Sequence, residues 1–422
     1  MNSLLPKVLP AALVIFLSVL LSGPVVARDL FRAVITLDGQ TGVNSTNSLG
    51  NVTDLFDETA LSALFPTADY VPGFTAFSVA LDLRGVASSV SYLEDSGNLR
   101  FKVPVAGIDL DFFAATRDLS EAEFEDWLKG NGVQSGTSEE SVTALLRAFV
   151  KGSPVDPVAG NPNSLQSRMF QNDFGLGSLG PFLGDFPADA DTPPSLWKLD
   201  LDFGYFAAGP YDGQTYDFDI AFGWQLSRRL ALVTDLGMTF SVDEGEALAG
   251  IGNFGLGLQG RISDGWNLAL VVRGGVAGSI DVGAVGAMVS VSLVNHMRFD
   301  FSQYRLEMSN MVGVASSIDG IEIEDIRLDY DNLTNVVLKN GFSLHRDLGQ
   351  VVGSRSLRAR LFLTDTLFFG DDLWLEHSDE IGLGIGMASK SGIRTYDPVA
   401  LDLSYVFGTD YDALKLRLSL RY

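Results

Sequence analysis

Three histidines, His296, His345 and His377, are the side chains best suited to proton transfer or metal ligation near neutral pH. No two of them stand three or four residues apart, the spacing that brings two imidazoles onto one helical face for zinc. His296 is expected in a turn, His345 at a strand end and His377 in a loop, each facing solvent. Ser356 and Ser404 offer hydroxyls for a Ser-His-Asp arrangement, but such arrangements are spatial and nothing in the chain singles out a nucleophile. Carboxylates crowd two stretches: Asp319, Glu322, Glu324 and Asp325, then Asp371, Asp372, Glu376, Asp379 and Glu380 around Trp374. Oxygen ligands at mixed spacing can hold calcium, yet neither stretch has the EF-hand order, and a solvated acidic face accounts for both. No catalytic residue, metal ligand or cofactor is assigned, and an enzyme is not expected.

A different set of charged residues has a regular setting. Asp200 and Asp202 alternate with Leu199, Leu201, Phe203 and Tyr205. Asp217 and Asp219 alternate with Tyr216, Phe218, Ile220, Phe222 and Trp224. A period of two is that of a strand with two unlike faces, one continuously apolar and one charged or tiny. Asp235, Arg273, Arg358 and Arg360 fall on the same polar side of later segments. If the apolar rows face lipid, these eight residues face an enclosed lumen, where opposed acids and bases either select solutes or pair into a closed network.

The segments recur from residue 196 onward, at about 230–241, 250–261, 265–275, 283–293, 297–308, 322–331, 335–345, 355–364, 380–388 and 399–407. The last alternates Leu414, Leu416, Leu418, Leu420 and Tyr422 with Lys415, Arg417, Ser419 and Arg421. Segments of about ten residues match a tilted strand crossing hydrocarbon, and an open sheet edge is not tolerated there. Trp197, Tyr205, Tyr216, Trp224, Trp266, Tyr405 and Phe407 lie near segment ends, as rings do at the two lipid interfaces. The expected fold is an all-β transmembrane antiparallel barrel of 12 or 14 strands, with 10 as the lower limit, preceded by a small α+β domain. The segmentation gives an odd number of candidates, so one strand is missing or false, and 311–318 can supply one.

The rest of the chain divides by composition. Residues 1–27 carry Lys7, an apolar run from Val8 to Leu21 and a small-residue exit at Val25-Val26-Ala27, the order of a cleaved secretory signal. The run is shorter than the roughly 20 residues a spanning helix needs. Residues 28–151 read as the α+β domain. Strands are expected at 28–36, 74–84, 98–104 and 106–114. Two helices follow, one capped by Ser120 with Phe124, Trp127 and Leu128 buried, the other starting at a Thr137–Glu140 capping box. Residues 152–195, rich in proline, form a linker or lumen segment with Met169, Phe170, Phe174, Phe182 and Phe186 as anchors. The net charge of -24 excludes nucleic acid as a partner, and the lack of cysteine excludes a disulfide scaffold. With 45 glycines beside abundant Phe and Leu, the composition suits many curved strands.

The signal sequence, the alternating segments over 196–422 and the terminal aromatic Tyr422 resemble bacterial outer-membrane β-barrel proteins as a class. The resemblance implies outer-membrane lipid as the surroundings. It also implies a barrel insertion machinery that recognises the last strand through Leu416, Leu418, Leu420 and Tyr422. Short turns at 226–229, 262–265 and 294–296 then lie in the periplasm, the first barrel strand runs outward, and residues 28–195 remain periplasmic, where the domain can meet an envelope partner. A porin-like or transport-associated protein allowing passive solute passage is the leading expectation. The alternatives are a structural or binding protein anchored by its barrel and, from the order of N-terminal region, helix near 137–151 and barrel, an autotransporter-like secretion barrel.

Overall fold

The computed structural model describes residues 28–66, 70–131, 139–178, 195–227, 229–243, 247–263, 265–318, 322–323, 326–327, 330, 332–352, 355–387 and 399–421. The proposed signal, Thr137, Phe182, Phe186 and Tyr422 lie outside them.

The N-terminal strands are short and set by alternation. β1 (Phe31–Leu37) buries Phe31, Ala33, Ile35 and Leu37, and turns at Asp38-Gly39, both at positive φ, into β2 (Gln40–Thr46). β3 (Phe77–Leu83), β4 (Val86–Tyr92), β5 (Asn98–Val103) and β6 (Ile108–Phe113) complete an antiparallel sheet in the order β2-β1-β3-β4-β5-β6. Among the described residues, three α-helices belong to this domain: α1 (Glu58–Leu64), α2 (Arg117–Leu128) and α3 (Glu139–Gly152). Phe124 and Trp127 of α2 pack on Phe101 and Phe112 of the sheet, with ring centroids 4.8 to 5.9 Å apart. Helix α2 starts one turn before Ser120. Thr116 caps it, and Ser120 is buried, donating to Gly97 O at 2.6 Å. β2 and α1 lie in 39–72, where the sequence offered only short apolar clusters: β2 is exposed and polar, and α1 buries only Leu61.

One acid in this domain carries a pH dependence. Glu121 of α2 accepts from Tyr92 Oη at 3.1 Å. Burial, reinforced by Asp118, Asp57 and Glu58, pushes its carboxyl from 4.5 up to about 8. Between those values the folded domain holds a proton that the unfolded chain releases, so stability falls as pH rises through the window. Hydrogen-exchange protection of the sheet amides in the full chain is expected to decline from about pH 5 to about pH 8 after correction for intrinsic exchange, and Glu121→Gln to flatten the decline. Identical profiles for both proteins rule the assignment out.

The second half closes on itself. β7 (Ser195–Ala208), β8 (Tyr211–Ser227), β9 (Leu230–Asp243), β10 (Ala247–Ser263), β11 (Trp266–Ser279), β12 (Ala284–Phe301) and β13 (Tyr304–Ile318) run antiparallel in order. A two-stranded ribbon of β14 (Glu322–Ile323) and β15 (Ile326–Arg327) stands apart. β16 (Thr334–Val352), β17 (Arg355–Gly370), β18 (His377–Met387), β19 (Val399–Gly408) and β20 (Tyr411–Arg421) then bring the sheet back to β7. The barrel has 12 strands, the lower of the two favoured numbers. Its outer surface carries the apolar rows: Leu201 and Phe203, Phe218 and Phe222, and Phe254, Leu256 and Leu258 are all exposed, as residues meeting lipid must be. Two expected details differ. Residues 294–296 lie inside β12 rather than in a turn, and the expected strand over 322–331 is the small ribbon outside the barrel. The true turn falls at 302–303, so the expected strand over 297–308 straddles it and 311–318 belongs to β13; the odd count comes from the false strand over 322–331, not from a missing one.

Candidate functional site

The lumen is occupied by the protein itself. α4 (Leu165–Gly177) lies within the barrel against β9 to β13. It falls in the 152–195 stretch, where the prolines hid it from sequence reading. The available signal was Ser164 before Leu165 and Met169 at helical spacing, with Arg168 and Asn172 as a second such pair. Glycines on both sides let helix and wall approach: an added Cβ at Gly313 of the wall lies 2.7 Å from Phe170, and one at Gly177 of α4 lies 2.4 Å from Val294 Cβ.

The eight charged residues singled out by alternation are placed as follows. Asp200, Asp202, Asp217, Asp235 and Arg273 are buried on the inner wall. Arg273 Nε donates to Asp173 of α4 at 2.6 Å, its Nη2 to Asp235 at 2.8 Å and its Nη1 to Asn253 at 2.6 Å. Ser292 also donates to Asp173, at 2.6 Å. Asp217 accepts from Arg168 of α4 at 2.8 Å and from Thr239 at 2.5 Å. Asp219 is half-buried and accepts from Asn172 of α4 at 2.9 Å. Three of the predicted acids thus meet α4 directly or through Arg273. Asp202 instead pairs with Arg417 of β20 at 2.7 Å, and Arg360 pairs with Asp402 at 2.5 Å. Arg358 pairs with Asp347 at 3.0 Å. Asp200, Arg358, Arg360 and Arg417 line a cavity of about 200 Å³ that separates this part of the wall from Gln171, Phe174 and Gly175 of α4. Ion pairs with good geometry neutralise the charges that a low-dielectric interior resists.

The aromatic residues form two girdles on the outer wall, all exposed. Trp197, Trp224 and Trp266 lie toward the end where β7 begins and β20 ends; Tyr205, Tyr216, Tyr405 and Phe407 lie toward the other. Leu416 is exposed, and Leu418 and Leu420 are half-buried beside β7.

The histidines are not where they were expected. His296 is buried in the lumen, 2.9 Å from Ser309 Oγ. His345, also buried and within β16, has Ser343 and Glu307 both on Nε2, at 3.0 and 3.2 Å. A relay requires the serine and the carboxylate on opposite ring nitrogens, so this trio does not have that order. His377 stands on the outer wall beside Asp365 and Asp379. Of the acidic stretches, Asp372 pairs with Lys151 at 2.5 Å and Asp371 accepts from Thr334 N at 2.7 Å; Asp319, Glu324 and Asp325 lie outside the described residues.

The α+β domain is seated on one mouth. Leu49 N donates to Asp281 O, Trp374 N to Val150 O and Leu375 N to Gly160 O, at 2.8 to 3.0 Å. Arg84, from the β3–β4 turn, lies 3.8 Å over the Phe149 ring and 3.7 Å from Asp156, which accepts from Tyr330 of the barrel at 3.2 Å. Burial lowers the Arg84 pKa and raises that of Asp156, each opposed by the charge of the other. This mouth is formed by the connections 209–210, 280–283 and 371–376; the barrel's own chain ends, at 195 and 421, are at the opposite mouth. The α+β domain and the start of β7 are thus at opposite mouths, with α4 inside the barrel.

No protein-family model and no curated protein matches the chain. Among solved structures it is similar to the beta domain of the Bordetella autotransporter BrkA, at 15% identity and a TM-score of 0.41 over 55% of this chain and 99% of that one. It is similar to the translocator domain of autotransporter NalP from Neisseria meningitidis, at 14% identity and a TM-score of 0.43 over 65% and 99%. It is also similar to a bacterial polysaccharide outer membrane secretin, at 10% identity and a TM-score of 0.30 over 54% and 98%.

Proposed function

We propose that this chain is an autotransporter-like anchor: an outer-membrane barrel that holds residues 28–152 at the cell surface on a helix threaded through its own lumen. The observation that carries the reading is the placement of α4. It connects a domain seated at one mouth to a first strand that starts at the other, and Arg168 and Asp173 tie it to the inner wall. Sidedness follows from turn length. At the mouth holding the barrel's chain ends, four of the five connections have two residues and the fifth, from β18 to β19, has eleven; at the domain's mouth the longest has fifteen, from β13 to β16, and 280–283 and 371–376 are intermediate beside two-residue connections at 209–210 and 409–410. Barrels of this kind keep short turns in the periplasm and longer loops outside. A filled lumen and a capped mouth favour an anchor over passive solute passage. In this reading residues 1–27 direct export, and the insertion machinery reads the end of β20.

An epitope inserted at Asp38-Gly39, an exposed hairpin tip, tests the arrangement. Intact cells are expected to bind the antibody as strongly as cells with a permeabilised outer membrane. Binding that appears only after permeabilisation places the domain in the periplasm and overturns the reading.

A further inference from the structure

A row of polar side chains crosses the lipid-facing wall. Trp266 of β11, Asn295 of β12, Asn310 of β13, Asn340 of β16, Asp365 of β17 and His377 of β18 occupy the outward positions of their strands, in phase with exposed Leu293, Val312, Leu338 and Leu363. Strand register sets Asn295 beside Asn310, Asn310 beside Asn340, and Asn340 beside Asp365. Their side chains bond head to tail. Trp266 Nε1 donates to Asn295 Oδ1 at 2.6 Å, Asn295 Nδ2 to Asn310 Oδ1 at 3.4 Å, Asn310 Nδ2 to Asn340 Oδ1 at 2.8 Å and Asn340 Nδ2 to Asp365 Oδ2 at 3.2 Å. His377 Nε2 closes the row, 3.0 Å from Asp365 Oδ1. Because barrel strands are tilted, a row along the hydrogen-bonding direction runs diagonally across the wall. It starts at the Trp266 girdle and ends near the domain's mouth.

Its middle lies deep in the apolar band. Asn310 stands between Met308 and Val312 on its strand, and Asn340 between Leu338 and Phe342. Hydrocarbon offers no hydrogen bonds, and polar groups turned toward it are costly. Each asparagine amide can make up to four hydrogen bonds, and the row uses two at Asn310, so donor and acceptor capacity remains on the outward side. The rows of β7, β8 and β10 show no such break: Leu201, Phe203, Phe218, Phe222, Leu256 and Leu258 are exposed there.

We propose that this wall is the contact between two copies of the chain in the membrane. A stripe of amides offers donors and acceptors in equal number, so it complements itself about a two-fold axis along the membrane normal. Two diagonal stripes on facing walls cross, which centres the contact on Asn310 and Asn340. Acyl chains and the apolar face of an unrelated barrel supply no matching groups. The inference rests on the wall facing lipid and is independent of which side the α+β domain occupies.

The chain has no cysteine, so a single introduced thiol reports its own neighbours. Val312→Cys lies beside the stripe and keeps every amide; Leu256→Cys lies on β10, outside it. With a short thiol crosslinker in outer membranes, Val312→Cys is expected to give a homodimer and Leu256→Cys almost none. Adding Asn310→Val and Asn340→Val is expected to weaken self-association about tenfold, read by single-molecule photobleaching in bilayers. Heat-modifiable migration on gels checks that each variant is folded. Equal crosslinking at both positions, a crosslink only to a different protein, a monomeric wild type, or a dimer indifferent to the valines each overturns the proposal.

Discussion

Replacing Arg273 with alanine is expected to destabilise the folded barrel by about 3–5 kcal/mol, the cost of leaving buried charges without their partner. Arg273 has no exposed side-chain surface and holds Asp173 and Asp235 together at 2.6 and 2.8 Å. Its removal leaves Asp235 of the wall and Asp173 of α4 facing each other without a cation and loosens α4 there. The measurement is urea unfolding of the full chain in lipid vesicles. A second readout is conductance in planar bilayers, expected to be small for the wild type and larger for Arg273→Ala as the helix loosens. Replacing all three charges by apolar residues of similar volume is expected to recover much of the stability, because the loss comes from orphaned charge more than from lost attraction. A cost for Arg273→Ala below about 1 kcal/mol, with unchanged conductance, means that the pair does not hold the helix.

Trp127→Ala is expected to cost the α+β domain about 3–5 kcal/mol through the cavity it leaves among Phe101, Phe112 and Phe124. Trp127 is 1% exposed, and its Nε1 donates to Ser141 Oγ at 3.3 Å, linking α2 to α3. Loss of hydrogen-exchange protection is expected in β5 and β6 while the heat-modifiable migration of the barrel is unchanged. Trp127→Phe refills part of the space and is expected to cost less. Parallel loss of barrel stability shows instead that the two halves fold as one cooperative unit.

The barrel was legible because lipid enforces a simple rule on each strand. Tyr216, Phe218 and Phe222 against Asp217 and Asp219 declare two faces within one short segment. Where a strand departs from that rule, the reading failed. Asn295, an outward polar residue in the middle of β12, made 294–296 resemble a turn and misplaced His296. The ribbon at 322–327 has Ile323 and Ile326 among polar residues and so imitated a strand of the barrel. In the first half, β2 and α1 bury too little apolar surface to leave a pattern.

The inner charges show the boundary most clearly. That Asp217, Asp235 and Arg273 sit opposite the apolar rows follows from period two alone, since alternation is a local property of the backbone. That Asp217 meets Arg168 and that Arg273 meets both Asp235 and Asp173 was decided only when the sheet closed around α4. Those partners are far apart in sequence, and α4 has polar residues on more than one side, so no spacing within it declares a lumen. Which mouth of the barrel holds the domain depends on the same event: the chain order is compatible with either, and with α4 inside the barrel the domain sits at the one opposite the barrel's ends.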